Sequence, residues 1–266
     1  MKSKILHIIF AVLFFHFITG GNAQQNIQVK NATGSCIIAN ISPEKAKEEA
    51  LFNAKVDALR KAGIPENVLA NVTKMGEFFL ETSTAEIGGG VIGYDIVDED
   101  IKIVTPEGER SKILIVEIII NANVIKYDKE KDPSFQLQVQ GIKKVYGNNE
   151  TLTFSVTPYQ NGYLRIFFFD EDGLGEQIYP DKKLEPNELF LHDETINFPK
   201  NDQYYYVLKL TDKTKPKEIN RMLFIFLKDN IHYTENKATM HSVLNWAAKI
   251  SPDRRTQEFR EFIIEL

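Results

Sequence analysis

The residues best able to do chemistry are scattered acids, three histidines beyond the first segment and one thiol. Asp170-Glu171-Asp172-Gly173, with Glu176 beyond, is the strongest metal candidate. Asp170 and Asp172 stand at alternate positions and Gly173 permits a sharp turn, as at the start of a calcium loop. The further spaced ligands of such a loop are missing, so the stretch reads as a solvated hairpin turn between Phe169 and Ile178. His192, His232 and His241 show no H-E-x-x-H or other zinc spacing. There is no G-x-S-x-G elbow. Gly88-Gly89-Gly90 lacks the Lys-Ser/Thr of a phosphate loop and reads as a turn or bulge. Cys36 sits beside Ile37, Ile38 and Ala39 with no histidine near it in sequence, the setting of a buried structural thiol. As the single cysteine it has no partner for an internal disulfide. No catalytic constellation, metal or cofactor is expected.

Aromatic side chains offer binding chemistry instead. Tyr163, Phe167, Tyr179 and Tyr205 fall on strand-like segments whose aromatics occupy both alternation phases. Some of them should therefore face away from a core. Exposed rings on a sheet stack on sugars or seat a protein partner. The competing arrangement is a helix over Thr239 to Lys249 covering that face.

The elements that must position these groups divide at a charged, proline-ended stretch. Before it, Ser42 and Pro43 open a helix to about Ala62, with alanines at helical spacing. Gly63 and Pro65 end it, and Glu66 to Lys74 adds a short second helix. Strands are expected at Ile27 to Val29, Cys36 to Ala39, Phe78 to Thr82, Val91 to Val97, Ile101 to Val104 and Ile113 to Val124, with a turn at Thr105 to Gly108. After the linker, the pattern changes to strict alternation. Phe135, Leu137 and Val139, then Leu152, Phe154 and Val156, precede YLRIFFF, YYYVLKL and MLFIFL. Turn residues separate these runs. Met240, Val243, Leu244 and Ala247 mark one late helix, and Phe259 to Leu266 a last strand. The expected class is α+β. A small α/β unit (24–127), with one long helix on a mainly antiparallel sheet, precedes a linker (128–134). A β-sandwich-like domain (135–266) with one late helix follows.

The start of the chain is a secretory signal: Met1-Lys2-Ser3-Lys4, the apolar run Ile5 to Ile18, then Thr19 to Ala23 with small Gly21 and Ala23. Cleavage before Gln24 leaves a mature protein without a transmembrane segment. Export to the periplasm or cell surface is the expectation. The mature part carries 30 basic residues (32 less Lys2 and Lys4) against 37 acidic ones. Such an interspersed, mildly acidic surface gives no electrostatic basis for binding nucleic acid.

Two resemblances bear on function. Residues 34–124 resemble the N-terminal domain of flagellar assembly protein T, through Gly34-x-Cys36, the helix SPEKAKEEALFNAKVDALRKAGI, Gly90 to Tyr94 and the strand Val116 to Val124. Residues from about Phe135 to Leu266 resemble an uncharacterised β-domain of bacterial exported proteins. The features are Asn161 to Phe167, Asp172-Gly173 and Ile178-Tyr179-Pro180, with Asp181 where that domain often has Asn. The first resemblance implies an assembly role in the envelope; neither implies a catalytic residue. The expected function is a non-enzymatic envelope module for a partner protein. Glycan binding through the aromatic face, and an unrecognised periplasmic enzyme, are the alternatives.

Overall fold

The computed structural model describes residues 24–64, 88–105, 112–181, 187–200, 205–212, 214–235 and 237–266. The expected signal sequence, the expected short helix at Glu66 to Lys74, the expected strand at Phe78 to Thr82, the Pro106-Glu107-Gly108 part of the first expected turn and Asn201-Asp202 lie outside these residues.

The first core is a helix on a three-stranded antiparallel sheet. Strands β1 (Gln24–Ile37), β3 (Ile113–Tyr127) and β2 (Gly89–Val104) lie in the order β1-β3-β2. Helix α1 (Pro43–Lys61) starts with Pro43 in its first turn, and Lys45 N–H donates to the Ser42 hydroxyl. Ala46, Ala50, Ala54 and Ala58 are completely buried. Their small size lets α1 settle onto Val116, Ile118 and Ile120 of β3. At Gly34 the approach is so close that a Cβ would stand 2.1 Å from both the Ala50 oxygen and the Ala54 nitrogen. Only glycine fits there.

Both strand predictions for β2 merge into one long strand. Bulges between Val91 and Gly93 and between Ile96 and Asp98 interrupt its register. The extra residue at each bulge breaks the period of two, which makes one strand read as two. The same holds for β1, whose register shifts between Val29 and Ala32 at Asn31, a residue with φ 53°.

The second part is built on a six-stranded sheet. The strands leading into it are β4 (Leu137–Gln140), β5 (Val145–Gly147), β6 (Thr151–Leu152) and β7 (Phe154–Pro158). Then follow β8 (Tyr163–Phe169), β9 (Leu174–Tyr179), β10 (Ile196–Phe198), β11 (Tyr206–Val207), β12 (Lys217–Leu227) and β13 (Ala238–Thr239). Helix α2 (Met240–Ala248) and β14 (Arg255–Glu265) end the chain. The large sheet has the order β13-β9-β8-β12-β14-β5; only its β14–β5 pair is parallel. Two small sheets, β10-β7-β4 and β11-β6, lie apart from it. The run Leu152 to Val156 is thus shared between two sheets, although Leu152, Phe154 and Val156 do point into one core. Of the expected strand over YYYVLKL, the described residues from Tyr205 on form a strand at Tyr206–Val207, while β12 and β14 extend beyond their apolar stretches.

Both faces of the large sheet are covered. One side holds Leu164, Ile166, Met222, Phe224 and Phe226 against Phe135, Phe154 and Phe198 from the small-sheet region. The other holds Phe167, Phe169, Leu223, Ile225 and Leu227 against Val243, Leu244 and Ala247 of α2. Two-sided burial is why MLFIFL is apolar without alternation. The protein is a mainly β member of the α+β class, with one early and one late α-helix among the described residues.

The first sheet also caps α2. The Tyr127 hydroxyl donates to the Ala248 carbonyl at 2.7 Å, and the Gln24 amide to the Lys249 carbonyl at 2.9 Å. These are carbonyls at the helix C-terminus, which lack intrahelical donors. Buried Arg255 completes the joint, donating to Ile250 O and to the Tyr127 hydroxyl. A guanidinium at a helix C-terminus is also favoured by the helix dipole.

Candidate interaction surface

The proposed aromatic face is not assembled. Phe167 and Tyr179 are completely buried, and on opposite sides of the large sheet. Phe167 lies under α2, edge-on to Tyr233 (5.2 Å) and Trp246 (6.2 Å). Tyr179 packs edge-on against Phe190 and Phe198. Tyr163 is half-buried, and Tyr205 alone stands out, at 67 % exposure. The aromatics fill both phases because both faces are covered, and the late helix provides one of the covers.

Asp170 and Asp172 form a turn. The Asp170 carboxylate accepts Leu174 N–H at 2.9 Å, and Gly173 takes φ 74°. Among the described residues, no group of three or more His, Cys, Asp or Glu side chains could hold a metal ion. The three histidines are exposed. Cys36 is only half-buried, and its thiol donates to Glu49 at 3.1 Å. Burial, then the Glu49 carboxylate, push the thiol up to about 11, away from nucleophilic thiolate.

Sequence patterns gave no warning of several buried polar groups. Arg165, inside YLRIFFF, donates to Leu164 O, Asn187 Oδ1, Asn230 Oδ1 and Ile231 O. Burial lowers its pKa to about 10. It ties the loops carrying Asn187 and Asn230 to β8. Glu218 accepts Thr211 N–H and Oγ1–H through one carboxylate oxygen, at 2.8 and 2.6 Å. Its other oxygen, Oε1, and the side-chain Oδ1 of Asn220 are buried without a hydrogen-bond partner among the described residues. Extending the period-two pattern of Met222, Phe224 and Phe226 back through Asn220 and Glu218 would have found both.

The surface feature that stands out is the outer half of β2, at the edge of the first sheet. Among the described residues only β3 pairs with it. The register sorts its side chains by face. Ile96, Glu99, Ile101 and Ile103 lie opposite Ile120, Ile118, Val116 and Leu114, on the α1 side. Asp95, Asp98 and Asp100 lie opposite Asn121, Ile119 and Glu117, on the other side. Helix α1 sits mainly over β1 and β3, leaving Ile96, Ile101 and Ile103 of β2 exposed. Ile101 is 54 % and Ile103 66 % exposed, with Ile96, Val97, Val104 and Leu114 exposed beside them. Glu99 is paired with Lys47 of α1 at 2.7 Å, and Lys102 with Glu117. No ion pair joins Asp95, Asp98 or Asp100 to a base among the described residues. Exposed apolar side chains on a strand paired on one side only among the described residues make a surface for adding a strand or seating a chain, not for bond chemistry.

The fold and this surface define an α+β protein whose second part is a two-layered β unit under a helix. Residues 145–216, from β5 to just short of β12, match a family described as Domain of unknown function (DUF4384). The matched stretch carries the Asn161 to Phe167, Asp172-Gly173 and Ile178 to Pro180 features. It is shorter than the expected span of 135–266. The match lies outside residues 34–124 and lends no support to their resemblance to flagellar assembly protein T. No curated protein matches the chain. No helix among the described residues is long and apolar enough to cross a membrane.

Proposed function

We propose that this chain is an exported, non-enzymatic protein of the bacterial envelope that acts as an interaction or assembly module for a partner protein. Export rests on the basic, apolar and small-residue succession of Met1 to Ala23. The interaction reading rests on one observation: exposed Ile96, Ile101 and Ile103 share one face of β2, with exposed Leu114 of β3 opposite Ile103, on a strand that among the described residues pairs only with β3. Scattered apolar residues on a surface are ordinary, but several sharing one face of an edge strand are not. The glycan-binding alternative loses support, because Phe167 and Tyr179 of its ring face are buried.

The test is affinity capture from envelope extract with the tagged chain and with Ile101→Lys/Ile103→Lys. Both positions are exposed, so the variant should keep the wild-type circular dichroism spectrum. A stoichiometric protein captured by wild type and lost by the variant is the expected result. Retention by peptidoglycan or polysaccharide in place of a protein would overturn the reading.

A further inference from the structure

The edge of β2 carries more than apolar surface: its two faces differ in charge. Ile96, Ile101 and Ile103 line the α1 side, where Glu99 is paired with Lys47; Asp95, Asp98 and Asp100 line the other with Lys102, which is paired with Glu117, so three acids face one base there. Resting on the interaction reading above, we infer that β2 receives an extended segment of a partner protein as an added strand, and that this segment alternates apolar with basic residues. Side chains of a strand alternate between faces, so one added strand meets both rows at once. Its apolar residues lie beside Ile96, Ile101 and Ile103. Its bases fall on the opposite face, beside the three aspartates. Backbone hydrogen bonds supply affinity that is indifferent to sequence, and the two rows supply the selection.

Charge also argues against a second copy of this chain as occupant. Antiparallel self-pairing about the acidic stretch sets aspartate against aspartate across the new ladder, which is destabilising. The other edge of the sheet, β1, reads Gln24, Gln25, Asn26, Gln28 and Lys30 along its first half. It has neither the apolar row nor the run of bases that β2 requires. The aspartates therefore exclude the protein's own edges while attracting a basic segment.

The test uses the purified chain and two short fluorescent peptides, one alternating Val with Lys and one alternating Val with Glu. Binding is read by anisotropy at physiological ionic strength, and its location by amide hydrogen exchange. The Val–Lys peptide should bind about tenfold or more tighter than the Val–Glu peptide, as expected for a few cross-strand charge pairs. Its binding should slow exchange within Asp95 to Val104. Asp98→Lys/Asp100→Lys should invert the preference; both positions are exposed, so folding should persist. Equal binding of the two peptides, an unchanged preference in the charge-reversed variant, or protection confined to another segment would overturn the inference. So would self-association of wild type in sedimentation that Ile101→Lys/Ile103→Lys abolishes, because the occupant would then be a second copy. A partner captured through Ile101 and Ile103 in the envelope experiment, with no peptide preference here, would leave the interaction reading standing and remove the strand-addition mechanism alone.

Discussion

Gly34→Ala tests the packing that holds β1 and β3 under α1 and leaves β2 outside. An added Cβ would lie 2.1 Å from Ala50 O, 2.1 Å from Ala54 N and 2.7 Å from Asn53 C. Non-bonded carbon contacts are comfortable near about 3.5 Å, so the helix must retreat by roughly 1.4 Å. The colliding atoms are backbone, so no rotamer change relieves them. Retreat loosens the layer of Ala46, Ala50, Ala54 and Ala58 on the sheet. Overpacking of this kind costs about 1–3 kcal/mol, and a rigid obstacle belongs at the upper end. Reduced freedom of the unfolded chain returns up to about 1 kcal/mol. The net loss is about 2–3 kcal/mol, or about 5–10 °C in Tm for a protein of this size. Gly93→Ala is the matched control, since its Cβ would meet only Asn123 Nδ2, at 3.9 Å. Far-UV circular dichroism reports mainly on α1, the longer helix. Fluorescence of Trp246, the single tryptophan, reports on the α2 side of the second core. The reasoning is refuted if Gly34→Ala melts within a degree or so of Gly93→Ala in the dichroism signal.

The remaining expectations concern the thiol, the joint and acid stability. Wild-type Cys36 should react slowly with iodoacetamide at pH 8, and Glu49→Gln should speed it, by less than about a hundredfold because burial, the larger cause, remains; an unchanged rate would remove Glu49 from the explanation. Tyr127→Phe keeps the ring but deprives Ala248 O of a donor and Arg255 of an acceptor. It should cost about 1–3 kcal/mol in urea titrations, and a loss below about 0.5 kcal/mol would contradict the proposed helix-capping role. Four aspartates have pKa values below normal; at one of them, Asp212, hydrogen bonds from Thr214 are the cause. Lys228 and Ser134 lower Asp132; Lys61, Thr33 N–H and Arg60 outweigh the opposing effect of burial at Asp57; Ser251 and Lys129 do so at Asp253. A folded pKa below the unfolded one gives stability that is present above about pH 4 and lost as pH falls through the folded value. Tm should hold from pH 7 to about pH 5 and fall below about pH 4, less steeply in Asp132→Asn. An equal acid slope in wild type and Asp132→Asn would show that this pair is not linked to folding.

What was legible in the sequence follows from which patterns are local. Ser42 and Pro43 placed the start of α1 because capping depends on neighbouring residues. Met240, Val243, Leu244 and Ala247 placed α2 because one face of a short helix is written in a few residues. Bulges are set by the partner strand, so β2 split at Val97 in the reading and not in the molecule. The aromatic face failed for a related reason. Alternation predicts which residues share a face, but not whether another layer lies over it, and α2 covers Phe167 from more than seventy residues away. Arg165 is the extreme case. Its acceptors Asn187 and Asn230 are remote in sequence, and a charge within YLRIFFF reads locally as a solvent-facing position.

The edges of the sheets bear on where a partner would bind. A sheet edge invites unwanted pairing, and proteins blunt it by shortness, bulges or charge. The large sheet is blunted by shortness: its edge strands β13 and β5 span only Ala238–Thr239 and Val145–Gly147. β1 is long, but its first half is polar and it is bulged at Asn31. β2 is long, with three exposed isoleucines on one face, and its protections among the described residues are two bulges and three aspartates. A bulge disrupts pairing whatever the incoming strand. Aspartates discriminate, because they repel acidic strands and attract basic ones. An edge guarded by a selective device admits one class of chain, whereas the edges closed by shortness admit few of any kind. On the proposed reading, the specificity of the module therefore lies in Asp95, Asp98 and Asp100 and its affinity in Ile96, Ile101 and Ile103. Charge reversal at the aspartates should change which partner binds, and lysines at the isoleucines should abolish binding.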